Sequence, residues 1–240
     1  MQAISFNVKL LVQKTPLWVQ VATVMKLKVP PDYKHVVMPA RNRLPLLPKQ
    51  PEPLNSHFPF PKMQKKLYLM RGPEPVHNDI IYGEFAIQAL EGGRLRFAHL
   101  ESIRMQVIRK MNEKTTFAHY RVPPPWQSVT KKPLGHRMGS GKGSIDRWEV
   151  PIKPDRIIIE FGGQVEFKEV QRLMETIRGF LPFKARVITR QDLKEEKQRA
   201  EELKDKNMNP FSYRKCAMDN MLGMKHKLSP YTIEFDGKYR

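Results

Sequence analysis

The chain has 240 residues, enough for one or two domains with a real core, and its 43 Lys and Arg against 24 Asp and Glu leave a formal net charge of +19. A polyanion is the first partner class for such a chain, with nucleic acid ahead of an anionic membrane surface and of acidic proteins. Cys216 is the only cysteine, which excludes a disulfide framework and a Cys-rich zinc site, and no run reaches the roughly 18 apolar residues of a membrane span.

Residues 1–31 contain no Asp or Glu and carry Lys9, Lys14, Lys26 and Lys28 among Leu, Val, Phe and Trp18. A basic, acid-free, amphipathic stretch has the composition of a mitochondrial targeting segment. Residues 32–82 are a proline-rich basic arm, with the run Pro45, Pro48, Pro51, Pro53, Pro59, Pro61. Proline fixes φ and lacks the amide donor, so the arm is predicted to be extended and to order only against a partner.

Residues 83–190 read as a folded core. Phe85 to Leu90 is a short strand, closed by a Gly92-Gly93 turn. Leu100, Ile103, Val107 and Met111 fall at helical spacing over Phe97 to Met111. Phe117 to Val122 is the next strand, which Pro123-Pro124-Pro125 ends, and a long loop is predicted through Arg147. Strands resume at Trp148 to Ile152 and Arg156 to Phe161. Phe167, Val170, Met174, Ile177 and Leu181 give a second amphipathic helix, and Arg186 to Arg190 a last strand. The expected fold class is α+β, two helices packed on a mixed or antiparallel sheet. Residues 191–206 form a highly charged helix with Glu195–Arg199 and Glu202–Lys206 pairs, followed by a docking tail to 240.

The chemistry concentrates in Arg137-Met138-Gly139-Ser140-Gly141-Lys142-Gly143. Glycine allows φ > 0 and close backbone approach, while Arg and Lys suit phosphate oxygens. A nucleotide phosphate loop requires Gly where His136 stands and Ser or Thr where Gly143 stands, so both requirements fail. His99, His119 and His136 have no Cys or carboxylate at ligand spacing, and no nucleophile–base pair is present. The expectation is therefore no enzyme, no metal and no cofactor. Between Arg121 and Trp148 lie Lys131, Lys132, Arg137, Lys142 and Arg147 against one acid, Asp146, with Trp126 near the start. Cations interleaved with aromatics suit RNA backbone contact and base stacking.

Residues 83–190 resemble the L-sixteen family of large-subunit ribosomal proteins. The resemblance rests on Gly92-Gly93-Arg94-Leu95, on Phe117-Ala118-His119-Tyr120-Arg121-Val122, on Thr130-Lys131-Lys132-Pro133-Leu134-Gly135-His136-Arg137-Met138-Gly139-Ser140-Gly141-Lys142-Gly143 with Trp148, and on Leu181-Pro182-Phe183-Lys184. The arm, the charged helix and the tail with Met221-Leu222-Gly223 and Leu228-Ser229-Pro230-Tyr231 resemble the mitochondrial branch. The resemblance implies a compact α/β-hammerhead fold and a structural role in the mitochondrial large subunit. The implied partners are large-subunit rRNA, A-site tRNA near the peptidyl-transferase region and neighbouring ribosomal proteins, with no homo-oligomer. The residues expected to meet rRNA or tRNA are Arg121, Lys131, Lys132, His136, Arg137, Met138, Gly139, Gly141, Lys142, Gly143, Arg147 and Trp148. The alternatives are a non-ribosomal RNA-binding protein or an RNA-modifying enzyme of the mitochondrion.

Overall fold

The computed structural model describes residues 31–53, 57–139 and 141–239. The expected targeting segment, apart from Pro31, lies outside the described residues. In chain order the core consists of β1 (Phe85–Ala89), β2 (Gly93–Arg96), α1 (Phe97–Lys110), β3 (Thr116–Tyr120), β4 (Gln127–Lys131), β5 (Ser144–Ile152), β6 (Ile157–Gly163), α2 (Phe167–Phe180), β7 (Ala185–Thr189) and α3 (Arg190–Lys206). Short helices α4 (Tyr213–Met218), α5 (Met224–Lys227) and α6 (Pro230–Glu234) follow.

The strands form a four-stranded sheet in the order β3-β6-β1-β7 and a three-stranded sheet in the order β2-β5-β4. Every strand pairing among the described residues is antiparallel, so of the two expected arrangements the fold takes the second. Alternation along β1 explains the layering. Phe85, Ile87 and Ala89 face the main core, which holds Leu100, Ile103 and Val107 of α1 and Val170, Leu173, Met174 and Ile177 of α2. Ala86 faces the other way, joining Ile157, Ile188, the arm's Ile80 and Leu193 of α3 in a smaller cluster. Fully buried Ile87 and Ile159 each contribute about 1.5–3 kcal/mol of apolar burial.

Helix α3 starts where its sequence dictates. The Thr189 side chain accepts the Asp192 N–H, and the Asp192 carboxylate accepts the Thr189 N–H, at 3.1 Å each. The rest of α3 is largely solvated. Arg186 of β7 grips Glu196 with two bonds of 2.6 Å, and Lys197 pairs with Asp79 of the arm.

Two expectations change. The loop predicted for 123–147 contains a β4–β5 hairpin, and residues 123–126 and 132–143 remain outside the strands. The arm is extended as expected, with one short 3-10 turn at Leu67–Leu69, yet it is seated on the core without a partner. Leu44 is buried in the main core, and the Asn42 carbonyl accepts the Ala118 N–H at 3.2 Å. Farther along, the His77 carbonyl accepts the Ile157 N–H at 2.9 Å. The reason is that the strands leave backbone groups open, and the arm satisfies them one at a time. The tail docks as well. Burial, then a hydrogen bond with Asp155, pushes the Tyr239 hydroxyl up to about 12.

Candidate nucleic-acid interface

Strands β4 and β5 pair from Gln127↔Glu149 to Lys131↔Ser144, with a register shift between Val129 and Thr130. Beyond the last pair the chain leaves the protein body. Lys131, Lys132, His136, Arg137, Met138, Gly139, Gly141 and Lys142 are all exposed. Leu134 is 100% exposed and Met138 97%. Gly135, Gly139 and Gly141 have φ of +81°, +94° and +78°, and a Cβ at any of them would meet nothing within 4 Å. These glycines are therefore required by the backbone path and not by internal packing. The tip is an open, cationic stretch of backbone with three left-handed glycines.

Gly143 differs from its neighbours. A Cβ there would stand 2.5 Å from the Lys131 carbonyl oxygen, so Gly143 lets the two strands close at the root of the tip. Lys142 turns back towards the arm. Its Nζ donates to the Lys62 carbonyl at 2.7 Å and the Met63 carbonyl at 3.1 Å, while Lys62 Nζ donates to the Lys142 carbonyl at 3.2 Å. Next to this clasp, Ser128 Oγ donates to the Pro61 carbonyl at 2.7 Å and accepts the Met63 N–H at 2.9 Å. Gln127 Nε2 donates to the Gln64 carbonyl at 3.0 Å. Trp148 packs edge-on to Phe60 of the arm, with ring centroids 5.0 Å apart.

The remaining cations of the expected set are held by acids. Arg147 donates to Glu149 at 2.6 Å and to Asp146 at 2.7 Å. Glu149, whose side chain is 4% exposed, also faces Arg96 at 3.3 Å and Arg94 at 3.7 Å. Burial alone would raise the Glu149 carboxyl. The Arg147 hydrogen bond and the charges of Arg147, Arg96 and Arg94 outweigh it and hold the group below the usual carboxylate range. At the start of α1 the Arg96 N–H donates to His99 Nδ1 at 3.2 Å. Burial, then the Arg96 charge, keeps His99 below its ordinary value, which suits an accepting, neutral ring.

Arg121 stands apart from the tip. Its guanidinium is 10% exposed and lies 3.0 Å from the wholly buried Glu160, out of line for a hydrogen bond from Nε. The same carboxylate accepts the N–H groups of Ile81, Tyr82 and Gly83 at 3.1, 2.7 and 3.0 Å. Arg121 and Glu160 thus anchor the arm to the sheet, which is where the expectation of an RNA contact at Arg121 meets its structural competitor. Sequence reasoning missed Arg94, Arg96, Glu149, Gln127 and Ser128 as parts of this assembly. Their one signal is alternation along 94–96 and 127–129, and it is too short to separate from loop.

A family model described as Ribosomal protein L16p/L10e matches residues 56–188, more than half of the chain. The large ribosomal subunit protein uL16 of Sulfurovum sp. (strain NBC37-1) is 42% identical over 123 residues, covering 51% of this chain and 84% of that relative. The chain belongs to the ribosomal protein L16p/L10e family. The match begins at residue 56, inside the arm, and so takes in the Pro61–Gln64 stretch that lies along β4. As a ribosomal L16p/L10e protein the chain is structural and not an enzyme. The hairpin tip falls wholly within the matched residues.

Proposed function

We propose that this L16p/L10e protein is a structural constituent of the large ribosomal subunit that binds large-subunit rRNA through the tip of its β4–β5 hairpin. The observation that carries the reading is the exposed tip itself. Lys131, Lys132, His136, Arg137 and Met138 surround left-handed glycines at which an added Cβ would meet nothing within 4 Å among the described residues. Cations position phosphates, and glycine backbone admits close approach. Lys142, Gly143, Arg147 and Trp148 support the tip from its root, and Arg121 supports the arm. The finer reading places the tip towards A-site tRNA near the peptidyl-transferase region, in a mitochondrial ribosome. Its support is the acid-free residues 1–31 together with the segments outside the matched residues. Residues 83–190 are the proposed rRNA-binding domain, 32–82 its arm, and 191–240 a helix and tail facing neighbouring ribosomal proteins.

Sedimentation tests the coarse reading, with stable co-migration with large subunits as the expected result and a wholly free pool as the opposing one. The double variant Lys132→Ala, Arg137→Ala tests the tip. Assembly or A-site tRNA binding should weaken, and unchanged particles with unchanged tRNA affinity would remove the tip from the site. Fusing residues 1–31 to a reporter tests the compartment, since a reporter that stays outside mitochondria opposes the placement.

A further inference from the structure

Away from the tip, the arm and the hairpin enclose a groove lined by Phe58, Phe60, Met63, Trp126 and Trp148 together with prolines of the arm and one acid, Glu52. Trp126 is 38% exposed and Phe58 72%, and with Phe60, Met63 and Trp148 they form a contiguous patch rather than a scattered pair. Phe60 and Trp148 form a wall between this groove and a second one, lined by Lys49, Arg96, Arg147, Phe97, Ile145 and Asp146. A mostly apolar, aromatic slot with one acid at its lining therefore shares a wall with a slot carrying three cations and one acid. Arg96 and Arg147 are held in place by Glu149, and Lys49 is exposed. Lys62, Lys65 and Lys66, farther along the arm, are exposed.

We infer that this paired groove binds an unpaired nucleotide of RNA, its base stacked against Trp126 on the aromatic side and its phosphates on the cationic side of the Phe60–Trp148 wall. The inference rests on the RNA-binding reading and adds a second contact distinct from the hairpin tip. Base stacking on aromatic faces is sequence-tolerant and needs a single strand, because paired bases have no free face. A proline-rich peptide would use the aromatic side, but the cations across the wall would give it nothing.

The test uses the full chain in a Trp18→Phe background, leaving Trp126 and Trp148 as reporters. A single-stranded oligoadenylate, a duplex of equal length and a polyproline peptide are titrated, with fluorescence quenching and anisotropy of labelled RNA read in parallel. The expected result is quenching by the single strand, weaker quenching by the duplex, and about tenfold weaker single-strand binding for Trp126→Ala. Trp126→Phe should recover most of that affinity, which a merely misfolded variant cannot do. Anisotropy showing no RNA binding at all would sink the functional reading. RNA binding without quenching, and unaffected by Trp126→Ala, would sink the stacking inference alone. Quenching by polyproline but not by RNA would overturn it in favour of a protein partner.

Discussion

At the scale of single residues, carboxylates and backbone carbonyls decide where several cations of the basic stretch point. Arg121, Lys142 and Arg147 stand with Lys131, Lys132 and Arg137 in one basic stretch of sequence, yet Arg121 and Arg147 pair with carboxylates and Lys142 turns back to the arm. Arg147 is held by its neighbours Asp146 and Glu149, but two of the partners are remote: Glu160 for Arg121, and the Lys62 carbonyl, 80 positions away, for Lys142. Composition near a residue cannot show a partner that folding brings from elsewhere. Glu149 supplies a test through pH. Its folded pKa lies below its ordinary value of 4.5, so it contributes stability that is present above about pH 4.5 and lost as pH falls through the folded value. Urea denaturation across that range should show the wild type losing stability more steeply than Glu149→Gln. At neutral pH the same variant should be less stable by about 2 kcal/mol, the scale of a hydrogen bond to a charged group. Parallel pH profiles for the two proteins would contradict this role for Glu149.

At the scale of elements, periodicity made α1, α2 and the hydrophobic strands legible. Leu100, Ile103 and Val107 are buried on α1 as their spacing requires, and Val170, Met174 and Ile177 on α2. Strands β2 and β4 were not legible. Gly93-Arg94-Leu95-Arg96 offers one apolar side chain, and Gln127-Ser128-Val129-Thr130-Lys131 another. Both are strands because β5 runs between them and supplies the ladder on either side. The glycines of the tip divide by the same logic. Gly143→Ala would press a Cβ into the Lys131 carbonyl and should cost about 1–3 kcal/mol in thermal or urea unfolding. Gly139→Ala meets open space and only opposes a φ of +94°, so it should leave global stability closer to wild type while weakening RNA binding. A larger stability loss at Gly139 than at Gly143 would reverse the assignment.

At the scale of the whole molecule, the arm is part of the fold. Its extended course was readable from proline content, but its seating was not, because each anchor is one side chain or one carbonyl. Limited trypsin digestion of the free protein should spare Lys62 and Lys65 for as long as the core stays folded, since cleavage requires local opening. Lys142→Met, which loses the clasp, should be cut there faster, and equal rates would show that the clasp holds nothing. The arm also has a bearing on solubility before assembly. Gln127 and Ser128 are successive residues of β4, so their side chains leave opposite faces of the strand, yet both bond to the backbone between Pro61 and Gln64. The arm must therefore pass along the free border of β4, the outermost strand of its sheet. An open border of this kind is a template on which another copy can add a strand and begin an aggregate. Pro59 and Pro61 bring no amide N–H to it, so the arm caps the sheet with a segment poorly suited to extend the ladder. On the proposed reading, a chain awaiting its RNA in solution carries its own guard against pairing with itself.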